Sequence, residues 1–153
     1  MHLVEVLRPE MFWPGLNSDT KPEVINELSE NISSIAPSLD PAKVAEILMD
    51  RERLGSTGIQ DGVAIPHGKV PGLDKVVVAC GTKPSGIEFD SHDGKPAQIF
   101  FVLLAPEFAA GHHLKVLARL SRLLKEEHIR KALLDASDGS EMYKLLVDED
   151  KNI

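Results

Sequence analysis

The sequence predicts an α/β fold in which a mixed β-sheet is sandwiched between helices. Three observations carry this. Segments of helical period lie at both ends of the chain, with short β-branched runs between them. Two of those runs, Val76 to Cys80 and Ile99 to Leu104, are apolar at successive positions, as in strands buried on both faces. A length of 153 residues suits one domain with its own core and is short for two. Residues 1–153 are therefore expected to form a single domain.

Taken in order, a short strand is expected near Met11 to Leu16. Asp19-Thr20 followed by Pro22 reads as a cap with proline in the first turn, and Val24, Ile25, Leu28 and Ile32 give a helical apolar stripe. Asp40-Pro41 repeats the signal, and Val44, Ile47 and Leu48 form the buried face of a helix running to about Arg53. Gly55 to Gly62 holds three glycines in its eight residues and reads as a loop with tight backbone turns. Val63-Ala64-Ile65 follows as a strand ended by Pro66. Val76 to Cys80, bounded by Gly72 and Gly81, is an interior strand, and Ile99 to Leu104 a stronger one. Pro84, Gly86 and Gly94 flank Ile87-Glu88-Phe89, an expected exposed turn with His92 at its tip. After Pro106 the period turns helical. Leu114, Leu117, Leu120, Ser121 and Leu124 share one face from about Gly111 to Glu126. A further helix carries Ile129, Leu133 and Leu134. The last, capped by Ser137 or Asp138, carries Tyr143, Leu145 and Leu146.

Composition narrows the function. Hydrophobic residues make up 42% and charged residues 27%, which excludes a disordered, collagen-like or disulfide-scaffold chain. The longest apolar run, Ile99 to Ala105, is far short of a membrane span, and the N-terminus lacks the basic-then-apolar pattern of a secretory signal. Direct membrane insertion is not expected. Lys and Arg number 17 against 24 Asp and Glu, a net charge of −7, so nucleic acid and anionic lipid are poor partners. Cys80 is the one cysteine, so no intramolecular disulfide can form. The expected compartment is the cytoplasm.

His67 stands in Ile65-Pro66-His67-Gly68-Lys69, held by proline before it and given space by glycine after it. A ring at a strand end with one open side suits a nucleophile or ligand, and equally a structural histidine. With an ordinary pKa of about 6.5, imidazole is mostly neutral at pH 7 and needs little activation. The Gly-rich loop offers backbone N–H groups to phosphoryl oxygens. It has neither P-loop spacing nor a G-x-G-x-x-G fingerprint, and also reads as a plain connection. His112-His113 opens a helix. Neighbouring helix residues point about 100° apart, and His113, four before Leu117, takes the inward face. A zinc site from His67, His113 and His92 lacks H-E-x-x-H and any Cys pair, so no metal is expected. Arg51-Glu52-Arg53 ends a helix just before the loop. One arginine turned inward would hold a dianion with its planar fork; otherwise the cations simply suit the helix dipole.

Arg51-Glu52-Arg53-Leu54-Gly55-Ser56-Thr57-Gly58-Ile59, followed by Gly62-Val63-Ala64-Ile65-Pro66-His67-Gly68-Lys69, resembles the enzyme IIA domain of the fructose/mannitol class of the bacterial phosphoenolpyruvate-dependent phosphotransferase system. The later His113-Leu114-x-x-Leu117-Ala118 segment is similar too, and the likeness spans nearly the whole chain. It implies an α/β sandwich around a mixed sheet. It also implies a phosphoryl carrier that needs no cofactor. By motif, His67 is the residue phosphorylated, His113 the second histidine that hydrogen-bonds the phosphoryl group, and Arg51 the arginine beside it. Ser56, Thr57 and Gly58 form the phosphoryl-binding stretch of the loop. The implied donor is the small carrier HPr or its nitrogen-branch counterpart. The output is a IIB domain or a regulatory target. Ile59, Val70 and Leu73 are expected to form the docking patch. Gln60 stands where the family often has glycine, which touches loop shape and leaves the chemical residues intact. The loop and histidine motifs look nearest the nitrogen-regulatory branch. A sugar-specific IIA component is the alternative, and a binding module that is never phosphorylated is another of a different class.

Overall fold

A computed structural model describes residues 1–153. Helix α1 (Lys21–Ile35) starts at Thr20, whose hydroxyl accepts from the Glu23 N–H, with Pro22 in the first turn. Helix α2 (Pro41–Arg53) starts likewise at Asp40. Their apolar stripes cover one face of a five-stranded sheet. Helices α3 (Ala110–Leu124), α4 (Glu127–Asp135) and α5 (Gly139–Asp150, capped by Asp138) cover the other.

The strands are β1 (Phe12–Trp13), β2 (Val63–Ala64), β3 (His67–Lys69), β4 (Val77–Ile87) and β5 (Ala97–Ala105). Strand β5 lies between β4, its antiparallel partner, and an edge made of β2 and β3, both parallel to it; β1 adds to β4 in parallel. The mixed sheet is as expected. Strand β5 explains why its run is apolar throughout: Ile99, Phe101, Leu103 and Ala105 face α3–α5, while Phe100, Val102 and Leu104 face α1 and α2.

Three expectations need correction. The run from Val76 does not stop at Gly81. Strand β4 continues to Ile87, and the register shift between Thr82 and Ile87 absorbs Pro84 and Gly86. Gly81 is instead a close-packing point, since a Cβ there would lie 2.6 Å from Leu16 Cδ1. Ile87 and Phe89 are buried and not an exposed turn; the turn lies beyond them, where Asp90 and Gly94 take positive φ. On α3 the inward face carries His113, Val116, Leu120, Leu123 and Leu124, while Leu114 is 65% exposed. With His113 turned inward, its neighbour Leu114 points about 100° away.

Candidate functional site

His67 begins β3, opposite Leu103 of β5. Ile65 and Pro66 fall between the paired segments β2 and β3, because proline has no N–H for the ladder. That break leaves the Ile65 carbonyl facing the imidazole, and His67 Nδ1 lies 2.7 Å from it. A carbonyl only accepts, so Nδ1 carries the hydrogen and Nε2 keeps its lone pair. Strand alternation sends Gly68 to the opposite face, against α2, where a Cβ would lie 2.6 Å from Ile47 Cγ2.

The structure brings His113 to His67. The two rings meet edge to face with centroids 5.4 Å apart. His113 is buried at 8% exposure, whereas His112 is exposed, as the helical spacing predicts. Burial lowers the pKa of His113, and the charge of His67 whenever its ring is protonated, with that of Lys69, pushes it the same way. His113 is therefore a neutral ring with one N–H to offer. Arg51 follows Ile47 by one helical turn, on the face of α2 that packs on β3. It is half-buried, and its Nη1 donates to Gly55 O at 2.8 Å.

The Gly-rich loop differs from the open cradle expected of Ser56, Thr57 and Gly58. Thr57 is buried, and both its N–H and its hydroxyl donate to the Glu52 carboxylate. The Ser56 hydroxyl donates to Phe89 O at 2.6 Å, and the Gly58 N–H donates to Ser56 Oγ at 3.0 Å. These donors already have partners, so the stretch is a braced frame. Gln60 fits the loop without strain: positive φ falls on Asp61 and Gly62 beside it. His92 is not part of the histidine pair; its ring Nε2 lies 3.0 Å from Ser56 O and its N–H donates to Gly58 O at 3.0 Å. No three His, Cys, Asp or Glu side chains converge on a metal position.

None of the three residues expected to form the docking patch is exposed. Val70 is buried, and Ile59 and Leu73 are half-buried against the cores. Apart from Met1 and Val4 at the N-terminus, the exposed large apolar side chains are Leu54 at 85%, directly after α2, and Phe108 at 80% with Leu114, on either side of the start of α3. They follow Arg51 and flank His113 in sequence.

Sequence reading missed Glu52, which is buried and ion-paired with Lys21 Nζ at 2.9 Å. One signal was available. An acidic residue in the last turn of a helix opposes the dipole and needs a compensating partner.

Residues 5–149 match the family described as phosphoenolpyruvate-dependent sugar phosphotransferase system, EIIA 2, and the chain belongs to that family. It is 38% identical to a nitrogen regulatory protein of Bradyrhizobium diazoefficiens over 146 residues, covering 95% of each chain. It is 34% identical to the fructose-specific EIIABC component of Bacillus subtilis, over 99% of this chain and 24% of that protein. The crystal structure of nitrogen regulatory protein IIA-Ntr from Neisseria meningitidis superposes with a TM-score of 0.86 at 35% identity, covering 93% of this chain and 97% of that one. No helix is long and apolar enough to cross a membrane.

Proposed function

We propose that this chain is a phosphoryl carrier of the phosphotransferase system, working as one enzyme IIA domain over residues 1–153. It takes a phosphoryl group on Nε2 of His67. The observation that carries this reading is the Nδ1–H donated to Ile65 O at 2.7 Å, which leaves Nε2 as the nucleophile. The donor is the phosphohistidine of HPr or its nitrogen-branch counterpart. In the transfer, the Nε2 lone pair attacks phosphorus in line while the donor's N–P bond breaks and its electron pair returns to the donor ring. A donor ring protonated on its other nitrogen leaves as neutral imidazole. His67 becomes a phosphoimidazolium whose Nδ1–H stays on Ile65 O, so no proton need cross the interface.

The remaining work is positioning and electrostatics. Neutral His113 donates its N–H to a phosphoryl oxygen. Arg51 exchanges Gly55 O for the incoming dianion, a stronger partner for its fork. Leu54, Phe108 and Leu114 supply the apolar contact for a transient partner. The resemblance to nitrogen regulatory proteins over nearly their full length favours a regulatory output. Transfer to a IIB domain for sugar uptake is the second reading, favoured by the fructose-specific relative.

The test is intact mass after incubation with phosphoenolpyruvate, enzyme I and HPr of either branch. Wild type is expected to gain one acid-labile phosphoryl group, and His67→Ala none while staying folded. No gain in wild type would leave a binding module; equal gain in His67→Ala would move the site.

A further inference from the structure

The buried Glu52 stands at one end of a hydrogen-bonded path to the histidine. Its carboxylate accepts from the Thr57 N–H at 3.1 Å and from the Thr57 hydroxyl. The Thr57 carbonyl accepts from the Ile65 N–H at 3.1 Å. The Ile65 carbonyl accepts from His67 Nδ1 at 2.7 Å. Pairing of Ala64 and Pro66 with β5 fixes the chain on either side of Ile65, and the bond to Thr57 sets the remaining rotation of its peptide groups. Ile65 in turn settles the orientation and tautomer of the ring.

A carboxylate at 6% exposure persists only if its oxygens are satisfied and its charge is paired. Lys21 pairs with it at 2.9 Å, and also reaches Phe89 O at 3.4 Å and the Phe89 ring at 4.5 Å from its centroid. The Ser56 hydroxyl binds the same Phe89 carbonyl. The loop is thus tied to α1, to the end of α2 and to the segment after β4. Arg51, one residue before Glu52, holds only Gly55 O. If Arg51 leaves Gly55 O for a phosphoryl group, Thr57 keeps its own two bonds to Glu52.

We propose that Glu52 is the positioning residue of the transfer site: through Thr57 and Ile65 it holds His67 in the Nδ1–H tautomer. It touches neither phosphorus nor the reacting nitrogen. The proposal rests on the carrier function for its kinetic consequence, but the ring tautomer exists without any donor. The two can therefore fail separately.

The experiment is long-range 1H–15N NMR of the His67 ring in the unphosphorylated full chain, combined with steady-state transfer from phosphorylated HPr. The proteins are wild type, Thr57→Val, Thr57→Ser and Glu52→Ala, with thermal melts to confirm folding. Thr57→Val is nearly isosteric and removes only the hydroxyl link, so it decides the matter if Glu52→Ala does not fold. Wild type and Thr57→Ser are expected to show a single Nδ1–H tautomer. Thr57→Val and Glu52→Ala are expected to populate the other tautomer and to lower kcat about tenfold or more with KM unchanged, since small misplacements of a reacting group are costly. The proposal is overturned if the Thr57→Val ring stays in the wild-type tautomer, if the loss lies in KM, or if Thr57→Ser is as impaired as Thr57→Val. If wild type accepts no phosphate, the carrier function fails, and the tautomer comparison still decides the role of Glu52.

Discussion

Replacing Gly68 with alanine places one methyl group between the histidine strand and helix α2. The new Cβ would lie 2.6 Å from Ile47 Cγ2. Carbon atoms pack at about 3.5–4.0 Å, so strand or helix must yield by roughly 1 Å. Gly68 does not have positive φ, so alanine can adopt its backbone and the clash is the main perturbation. Overpacking of this kind costs about 1–3 kcal/mol. For a domain of this length that is a fall of roughly 2–12 °C in Tm. His67 is the adjacent residue, so transfer should slow as well, about tenfold or more. The assay is urea unfolding of Gly68→Ala, Ile47→Ala and the double variant. Ile47→Ala removes Cγ2, so the double variant should be more stable than the summed single losses by about 1 kcal/mol or more. Wild-type stability in Gly68→Ala, or simple additivity, would refute the packing of β3 on α2 described above.

Three further outcomes are expected. His113→Ala should lower kcat for phosphoryl acceptance about a hundredfold, as loss of a donor to developing charge does, with KM for phosphorylated HPr little changed; a loss confined to KM contradicts the role. His113 also gives a pH signature. Its folded pKa lies below the unfolded value of about 6.5, so as pH falls below that the unfolded chain binds a proton the folded chain resists. Stability should therefore drop in acid until folded His113 also protonates, and urea midpoints at pH 7.5 and 5.5 should differ more in wild type than in His113→Gln. Leu54→Asp and Phe108→Asp should each raise KM about tenfold, equivalent to about 1.4 kcal/mol of docking, with kcat and Tm near wild type; unchanged KM would place the partner elsewhere.

The parts of the fold legible in sequence were those built from local rules. Thr20 and Asp40 with their following prolines announced α1 and α2, and the unbroken apolar run of β5 announced a strand covered on both faces. His113 over His112 followed from helical spacing. What escaped depended on contacts distant in sequence. Strand β3 has only three residues, and His67-Gly68-Lys69 has no alternation that marks a strand; it exists because β5 offers a parallel edge. Gly81 looked like a strand end because its closeness to Leu16 is a tertiary fact. The loop looked open because, although Glu52 follows Leu48 by one turn on the buried face of α2, no local pattern pairs its carboxylate with Thr57. The exposure of Leu54 and Phe108 also escaped, since exposure of an apolar side chain cannot be read from its type.

Long-range 1H–15N NMR of the 15N-labelled, phosphorylated protein tests the central claim most directly, because it reports which nitrogen of which histidine bears phosphorus. The structure predicts phosphorus on Nε2 of His67, with Nδ1 still protonated and held by the Ile65 carbonyl. Phosphorus on Nδ1 of His67, or on any other histidine, would contradict it.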